Sequence, residues 1–476
     1  MSTDAPADLT AHPWFFCGIG GSGMLPLALI LKGKGAVVAG SDRSRDQGRT
    51  PEKFAWLESL GFVLHPQDGS GITSADQILV ASAAVEDTVP EMVRAAALGC
   101  RRMRRADLLS ALFNAAPIGI AVGGTSGKST VTGMLGWILT ACGRDPTIMN
   151  GAVMKNLASP DAPFASARVG GAEAPFVSEV DESDGSIAAY RPTIAVLNNV
   201  SLDHKSMEEL RSLFGDFLAR AGTAVVNGDD PESAALASRA LGGALTFGIG
   251  RSDVDFGVAE GSVAESPLGI DAVIEHRRTG ERHPLALKVP GRHNLANALA
   301  ALAAAHAAGV PLGDAVRALE GYAGLARRFD VVGTSPGGVT VIDDFGHNPE
   351  KVAATLATLK AHPGRVIAFF QPHGYGPLRQ MGAELAEVLA TRLGPDDRTI
   401  LCDPVYFGGT VDRSVGSERI VELVRAQGGT AEHIPAREDC AARIAAVARP
   451  GDRVAIMGAR DDTLTAFALD LLARLP

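Results

Sequence analysis

Short apolar runs recur along the chain, each ending in glycine or a small polar residue and followed by a longer stretch with helical spacing. Early on, Phe15-Phe16-Cys17 leads into glycines, Ala36-Val37-Val38-Ala39 ends at Gly40-Ser41-Asp42, and Gln77-Ile78-Leu79-Val80 ends at Ala81-Ser82. Alternation of this kind predicts strands of a doubly wound parallel sheet with helices between them. The pattern then restarts twice. A second block carries Pro117-Ile118-Gly119-Ile120-Ala121-Val122, Phe176-Val177-Ser178 and Ile194-Ala195-Val196-Leu197, with an Ala-rich segment of high helix propensity from Asn297 to Ala308. Within it, from about Asp253 to Val289, the texture turns polar and alternating, as in a β-rich insertion. A third block carries Val339-Thr340-Val341-Ile342, Val366-Ile367-Ala368-Phe369-Phe370, Thr399-Ile400-Leu401-Cys402 and Val454-Ala455-Ile456-Met457. The expected fold is α/β in three domains: a Rossmann-like domain at 1–113, a central P-loop ATPase-type domain at 114–325 and a second Rossmann-like domain at 326–476.

Composition narrows the function classes. A chain of 476 residues with 46% apolar and 21% charged residues reads as ordinary globular protein of several domains. Its net charge of −10 argues against sequence-independent nucleic-acid binding, which needs clustered Lys and Arg. The one basic cluster, Arg101-Arg102 with Arg104-Arg105, precedes a helical stretch and reads as a solvated helix start. No window approaches twenty unbroken apolar residues, and the first dozen residues lack an apolar signal core, so neither membrane insertion nor export is expected. Cys17, Cys100, Cys142, Cys402 and Cys440 are scattered without metal-type spacing and read as reduced thiols of a cytoplasmic protein.

Two glycine turns carry the chemistry. Gly124-Thr125-Ser126-Gly127-Lys128-Ser129-Thr130 stands between a strand-like run and a helix-like stretch ending near Cys142, the order of a phosphate cradle. Backbone N–H groups of such a turn, with the helix N-terminus behind them, favour anions. Lys128 then reaches the β- and γ-phosphates of ATP, and the Ser129 hydroxyl binds Mg²⁺. Val122 stands where the general pattern has a glycine. The other turn, Gly18-Ile19-Gly20-Gly21-Ser22-Gly23 with Asp42 at the end of the following strand, fits a dinucleotide or any pyrophosphate ligand, a UDP-sugar included.

Acidic and imidazole groups cluster at later strand ends. Glu179-Val180-Asp181-Glu182-Ser183-Asp184 suits Mg²⁺ ligation facing a phosphate loop. Asn198-Asn199-Val200-Ser201-Leu202-Asp203-His204 offers a carboxylate and an imidazole on one loop. Gly291-Arg292-His293-Asn294-Leu295-Ala296-Asn297 opens the Ala-rich helix, where its polar groups either cap the helix or meet a base edge. Arg327-Arg328-Phe329, Asp343-Asp344-Phe345-Gly346-His347-Asn348-Pro349 and Phe370-Gln371-Pro372-His373 complete the series.

Taken in order, these pieces, with Met24, Gly40-Ser41-Asp42 and Met457-Gly458-Ala459, resemble the Mur ligase family of peptidoglycan synthesis, and within it the type that joins L-alanine to UDP-N-acetylmuramate. The likeness runs nearly the whole chain. It implies that Gly18, Ile19, Gly20, Gly21, Ser22, Gly23, Met24, Asp42, Ser82 and Arg379 serve a UDP-sugar carboxylate substrate, and that Ser129, Glu179 and His204 hold Mg²⁺. It implies further that His293, Asn294, Asn297, Arg328 and Asp344 hold ATP alongside the phosphate loop. Lys128, Glu179, His204 and His347 would be the catalytic groups.

The implied chemistry needs no protein nucleophile. A carboxylate attacks the γ-phosphate of ATP to give an acyl phosphate, and an amine then displaces phosphate. The sequence also departs from the family pattern. Ser126 replaces His, Ser206 an acid, Phe345 a Tyr and Asn348 a second His. Gly374-Tyr375-Gly376-Pro377-Leu378-Arg379 lacks two arginines, and Arg460-Asp461-Asp462 replaces a tighter Gly-Asp turn. Since a guanidinium fork suits oxyanions, the missing arginines raise the expectation of an altered amine acceptor.

Overall fold

The computed structural model describes residue 6 and residues 8–202, 205–405, 412–459, 461 and 463–476. Three sheets organise them. The first contains β1 (Trp14–Cys17), β2 (Val38–Ser41), β3 (Val63–His65), β4 (Ile78–Ala81) and β5 (Arg101–Arg104) in the order β3-β2-β1-β4-β5. All four pairings are parallel. The strand order reverses between β1 and β4, which makes the carboxyl ends of those two strands the ligand crevice of such a sheet. The arginine cluster lies on edge strand β5, with only Arg105 opening a helix (Arg105–Asn114), so the expected solvated helix start is corrected. Parallel pairing to β4 supplies the backbone bonds that the four arginine-rich residues would not gain in a free helix turn.

The central sheet takes β6 (Gly119–Gly123), β7 (Thr147–Met149), β8 (Ala167–Arg168), β9 (Phe176–Glu179), β10 (Ile194–Leu197), β11 (Thr223–Asn227), β12 (Ala244–Phe247), β13 (Phe256–Val258), β14 (Ala264–Ser266), β15 (Gly269–His276) and β16 (Glu281–Leu287). Its order is β14-β15-β13-β12-β11-β10-β6-β9-β7-β8, with β16 on β15. The phosphate-loop strand β6 lies between β9 and β10, parallel to both. The polar alternating segment is the antiparallel extension β13–β16, where β15 reads buried and part-exposed by turns. The Ala-rich helix runs Arg292–Ala307, and small side chains on nearly every face let it pack closely on the helix Lys128–Ala141.

The third sheet holds β17 (Asp330–Thr334), β18 (Thr340–Asp344), β19 (Val366–Gln371), β20 (Arg398–Leu401), β21 (Ala431–His433) and β22 (Arg453–Gly458) in the order β17-β18-β22-β19-β20-β21. Only the β17–β18 pair is antiparallel. The chain divides into two compact units. One carries the first two sheets and runs to Gly324; the other is Leu325–Pro476 with the short pieces Glu265–Gly269 and Val289–Gly291. Within the first unit, Phe113 of the helix Arg105–Asn114 packs on Phe176 of β9 at 5.7 Å and edge-on to Tyr190 at 5.2 Å. That contact ties the first sheet to the second. Among the described residues no helix is long and apolar enough to cross a membrane.

Candidate active site

The phosphate loop leaves β6 and enters the helix Lys128–Ala141 through Gly127, whose φ of 83° only glycine adopts without strain. Space demands glycine there as well. A Cβ on Gly127 would stand 2.4 Å from Asn198 Nδ2 and 2.6 Å from Asn297 Oδ1. The loop is braced by its neighbour strand: Asn199 Oδ1 accepts from Ser126 N at 2.8 Å and from Thr125 Oγ1 at 2.9 Å. Asn198 Nδ2 donates to Ser126 O at 3.0 Å and to Asn297 Oδ1 at 2.9 Å. Asn297 in turn donates to buried Asn294 Oδ1 at 3.4 Å, while His293 is exposed and Thr130 half-buried.

Lys128 bends back over this loop. Its ammonium donates to Gly124 O at 2.7 Å and to the two Glu182 oxygens at 2.8 and 3.1 Å. Ser129 Oγ donates to Glu179 Oε2 at 2.7 Å. The hydroxyl and carboxylate needed to ligate a cation are thus already side by side, next to the cation needed to meet a phosphate. Glu182 is buried, and its role in holding Lys128 was not read from the sequence, although it stands in the acidic motif. Burial pushes the Asp181 carboxyl up, but hydrogen bonds from Ser183 and the nearby Lys128 and Arg105 charges bring it below the ordinary range. Asp203 and His204 lie outside the described residues, so the expected imidazole ligand is not placed.

The first glycine turn wraps the end of β2. Gly18 and Ile19 N–H groups donate to Ser41 O at 2.8 and 3.1 Å, and Gly21 and Met24 continue the turn. Asp42 is buried and structural on both oxygens: Oδ2 accepts from Gly20 N and Oδ1 from Ser44 N, each at 2.8 Å. Gly21 and Ser22 are exposed, and Ser82 is half-buried at the end of β4. The exposed side of the turn therefore presents small residues, Gly21 and Ser22.

The other unit brings its own groups together. Arg327 and Phe329 adopt left-handed backbone, φ 61° and 48°, on either side of Arg328. Such strain persists only where neighbours enforce it. Asp344 does so, accepting from Phe329 N at 2.8 Å, Gly346 N at 2.9 Å and Thr355 Oγ1 at 2.8 Å. The Arg328 guanidinium lies 4.8 Å over the Phe345 ring, which gives the aromatic at that position a job without its phenolic oxygen. His347 Nδ1 lies 2.9 Å from Phe345 O, so it donates there and leaves Nε2 as an acceptor. Burial lowers its pKa to about 4, so the ring is neutral at ordinary pH. It stands edge-on to His373 at 5.0 Å, in a small cavity lined also by Phe370, Pro372, Pro377 and Leu378. Arg379 is exposed and pairs with Asp412 at 2.8 Å, away from that lining.

These features coincide with three matches to one family: the Mur ligase family, catalytic domain over residues 15–116, the Mur ligase middle domain over 122–305, and the Mur ligase, glutamate ligase domain over 327–460. The chain is a Mur ligase. It is 36% identical to the UDP-N-acetylmuramate–L-alanine ligase of Streptomyces coelicolor, over 94% of this chain and 95% of that one. It is 35% identical to the enzyme of that name from Agrobacterium fabrum, with 95% of each chain covered. The crystal structure of UDP-N-acetylmuramate-alanine ligase from Thermotoga maritima superposes with a TM-score of 0.79 at 25% identity, covering 97% and 99% of the two chains. A murein peptide ligase from Psychrobacter arcticus shares the fold at a TM-score of 0.72 and 23% identity, covering 97% and 98%.

Proposed function

We propose that this Mur ligase joins an amino acid, L-alanine as in the relatives' names, to the carboxylate of UDP-N-acetylmuramate, at the expense of ATP and in the cytoplasm. The observation that carries the proposal is the Lys128–Glu182 and Ser129–Glu179 arrangement in the same unit as a glycine turn on a Rossmann-like sheet. The turn Gly18–Met24, held in shape by Asp42 and with Ser82 at the end of β4, takes the sugar nucleotide. The loop Gly124–Thr130 takes the triphosphate, with His293, Asn294 and Asn297 of the same unit as nucleotide contacts; Arg328 and Asp344 are assigned to the nucleotide by family resemblance alone.

The donor set fits ATP and Mg²⁺. Glycine at 127 lets the Asn198 and Asn297 side chains close on the loop, and glycine at 151 leaves room for Glu179, whose Oε1 would stand 2.4 Å from a Cβ there. Ser129 and Glu179, with His204 as third ligand, would hold Mg²⁺. Bound there, the ion offsets phosphate charge as one anion approaches another. Lys128 exchanges Glu182 for a phosphate oxygen and holds the terminal phosphoryl group against the sugar carboxylate. A P–O bond then forms to that carboxylate as ADP leaves. The amine attacks the resulting acyl phosphate, forming the amide and releasing phosphate; in the other unit, neutral His347 offers Nε2 as a hydrogen-bond acceptor.

A second reading concerns the acceptor. Arg379 is engaged with Asp412 on the surface, and the segment after His373 lines its cavity with Pro377 and Leu378 rather than cations. This favours an acceptor not anchored through its carboxylate by that segment. Mass spectrometry of products from UDP-N-acetylmuramate, ATP, Mg²⁺ and a panel of amino acids separates the two. L-Alanine adducts alone support the first reading, adducts of other amines the second, and no amine adduct at all contradicts both.

A further inference from the structure

The arginine at the start of the helix Arg105–Asn114 lies between the first glycine turn and the acidic loop that follows β9. A Cβ on Gly23 would meet Arg105 Nη1 at 3.0 Å and its Cδ at 3.2 Å, so the side chain lies directly over the first turn. On the other side, Arg105 Nη2 is 3.9 Å from Asp184 Oδ2 in the loop that also carries Glu182, the partner of Lys128. That distance is an ion pair without a hydrogen bond. The Arg105 side chain is 22% exposed. Asp181 also feels the Arg105 charge, but the ion pair to Asp184 is too long for a hydrogen bond, and the donors of a guanidinium fork match oxyanions two at a time.

We propose that Arg105 is a substrate-binding residue that takes an oxyanion of the sugar nucleotide, with Asp184 as the counter-ion it gives up on binding. The inference rests on the functional reading above and adds a residue to it. Two oxyanions of such a substrate share this chemistry: the pyrophosphate at the glycine turn, and the carboxylate that must approach the phosphate loop. Arg105 stands between the turn and the loop bearing Glu182, within reach of a ligand that spans them.

Calorimetric titration of Arg105→Gln with UDP, UDP-N-acetylglucosamine and UDP-N-acetylmuramate tests it. The expected result is affinity lost on the order of tenfold, with ATP affinity unchanged. Loss for all three ligands assigns the pyrophosphate, and loss for UDP-N-acetylmuramate alone assigns the carboxylate. Unchanged affinity for all three in a folded variant overturns the proposal. Asp184→Asn gives an independent arm should Arg105→Gln not fold: removing the competitor is expected to tighten sugar-nucleotide binding, and unchanged or weaker binding overturns the proposal. If the unaltered protein binds none of the three, the functional reading itself fails, which is a separate result.

Discussion

In the proposed reaction, Lys128 is the residue on which the chemistry turns. Its three donors are spent on Gly124 O and the Glu182 carboxylate, so a bound triphosphate competes with a carboxylate that is already in place. Lys128→Ala should lower kcat/KM by roughly 10²–10³-fold or more, as for loss of one preorganised transition-state donor. Steady-state kinetics check this, and near-normal turnover would remove Lys128 from the mechanism. His347 makes a prediction of opposite character. Its folded pKa, about 4, lies below the unfolded value of about 6.5, so the unfolded chain binds a proton that the folded chain refuses. Stability should therefore fall as pH drops from about 6.5 to about 4. The melting temperature of the natural protein minus that of His347→Gln should decrease across this window. A constant difference would show that the imidazole is not held neutral. Asp343, raised to about 6 by burial, changes with the opposite sign but is common to both proteins and cancels.

At the scale of elements, Phe113 is one aromatic link between the first two sheets, and Trp56 on Phe164 at 5.7 Å is another. Phe113 is fully buried, and Gly119 is bare beneath it because a Cβ there would stand 2.6 Å from the ring. Phe113→Ala should cost about 3–5 kcal/mol, read as a shift in urea midpoint. A shift equivalent to less than about 1 kcal/mol would mean that other contacts hold the two sheets together. The strands themselves were legible in the pattern, with boundaries off by a residue or two: β2 runs Val38–Ser41 where Ala36–Ala39 was expected. Apolar runs reveal that a strand exists, whereas its ends are set by partners such as β1 that lie elsewhere in the chain. Edge strand β5 was missed for the same reason, since four residues with three arginines show no strand signal of their own. The departures at Ser206 and Asn348 became intelligible only in three dimensions, because both cap helices. Ser206 forms a capping box with Glu209, and Asn348 accepts from Lys351 N at 2.9 Å.

At the scale of the whole molecule, the order of motifs along the chain identified the family, since three α/β blocks with the phosphate loop opening the second leave little else to fit. Pairings across sequence were not legible. Glu182 with Lys128, Asp42 with Gly20 and Arg105 with Asp184 are separated by 54, 22 and 79 positions, and only folding makes them neighbours. The central claim is that ATP activates a sugar-linked carboxylate in this chain. The most direct measurement supplies UDP-N-acetylmuramate labelled with ¹⁸O in its carboxylate, together with ATP, Mg²⁺ and L-alanine, and follows the released phosphate by mass spectrometry. The account predicts one ¹⁸O transferred to inorganic phosphate for each amide formed, with both slowed together in Lys128→Ala. Amide formation with unlabelled phosphate, or label-free hydrolysis of ATP without amide, would contradict it.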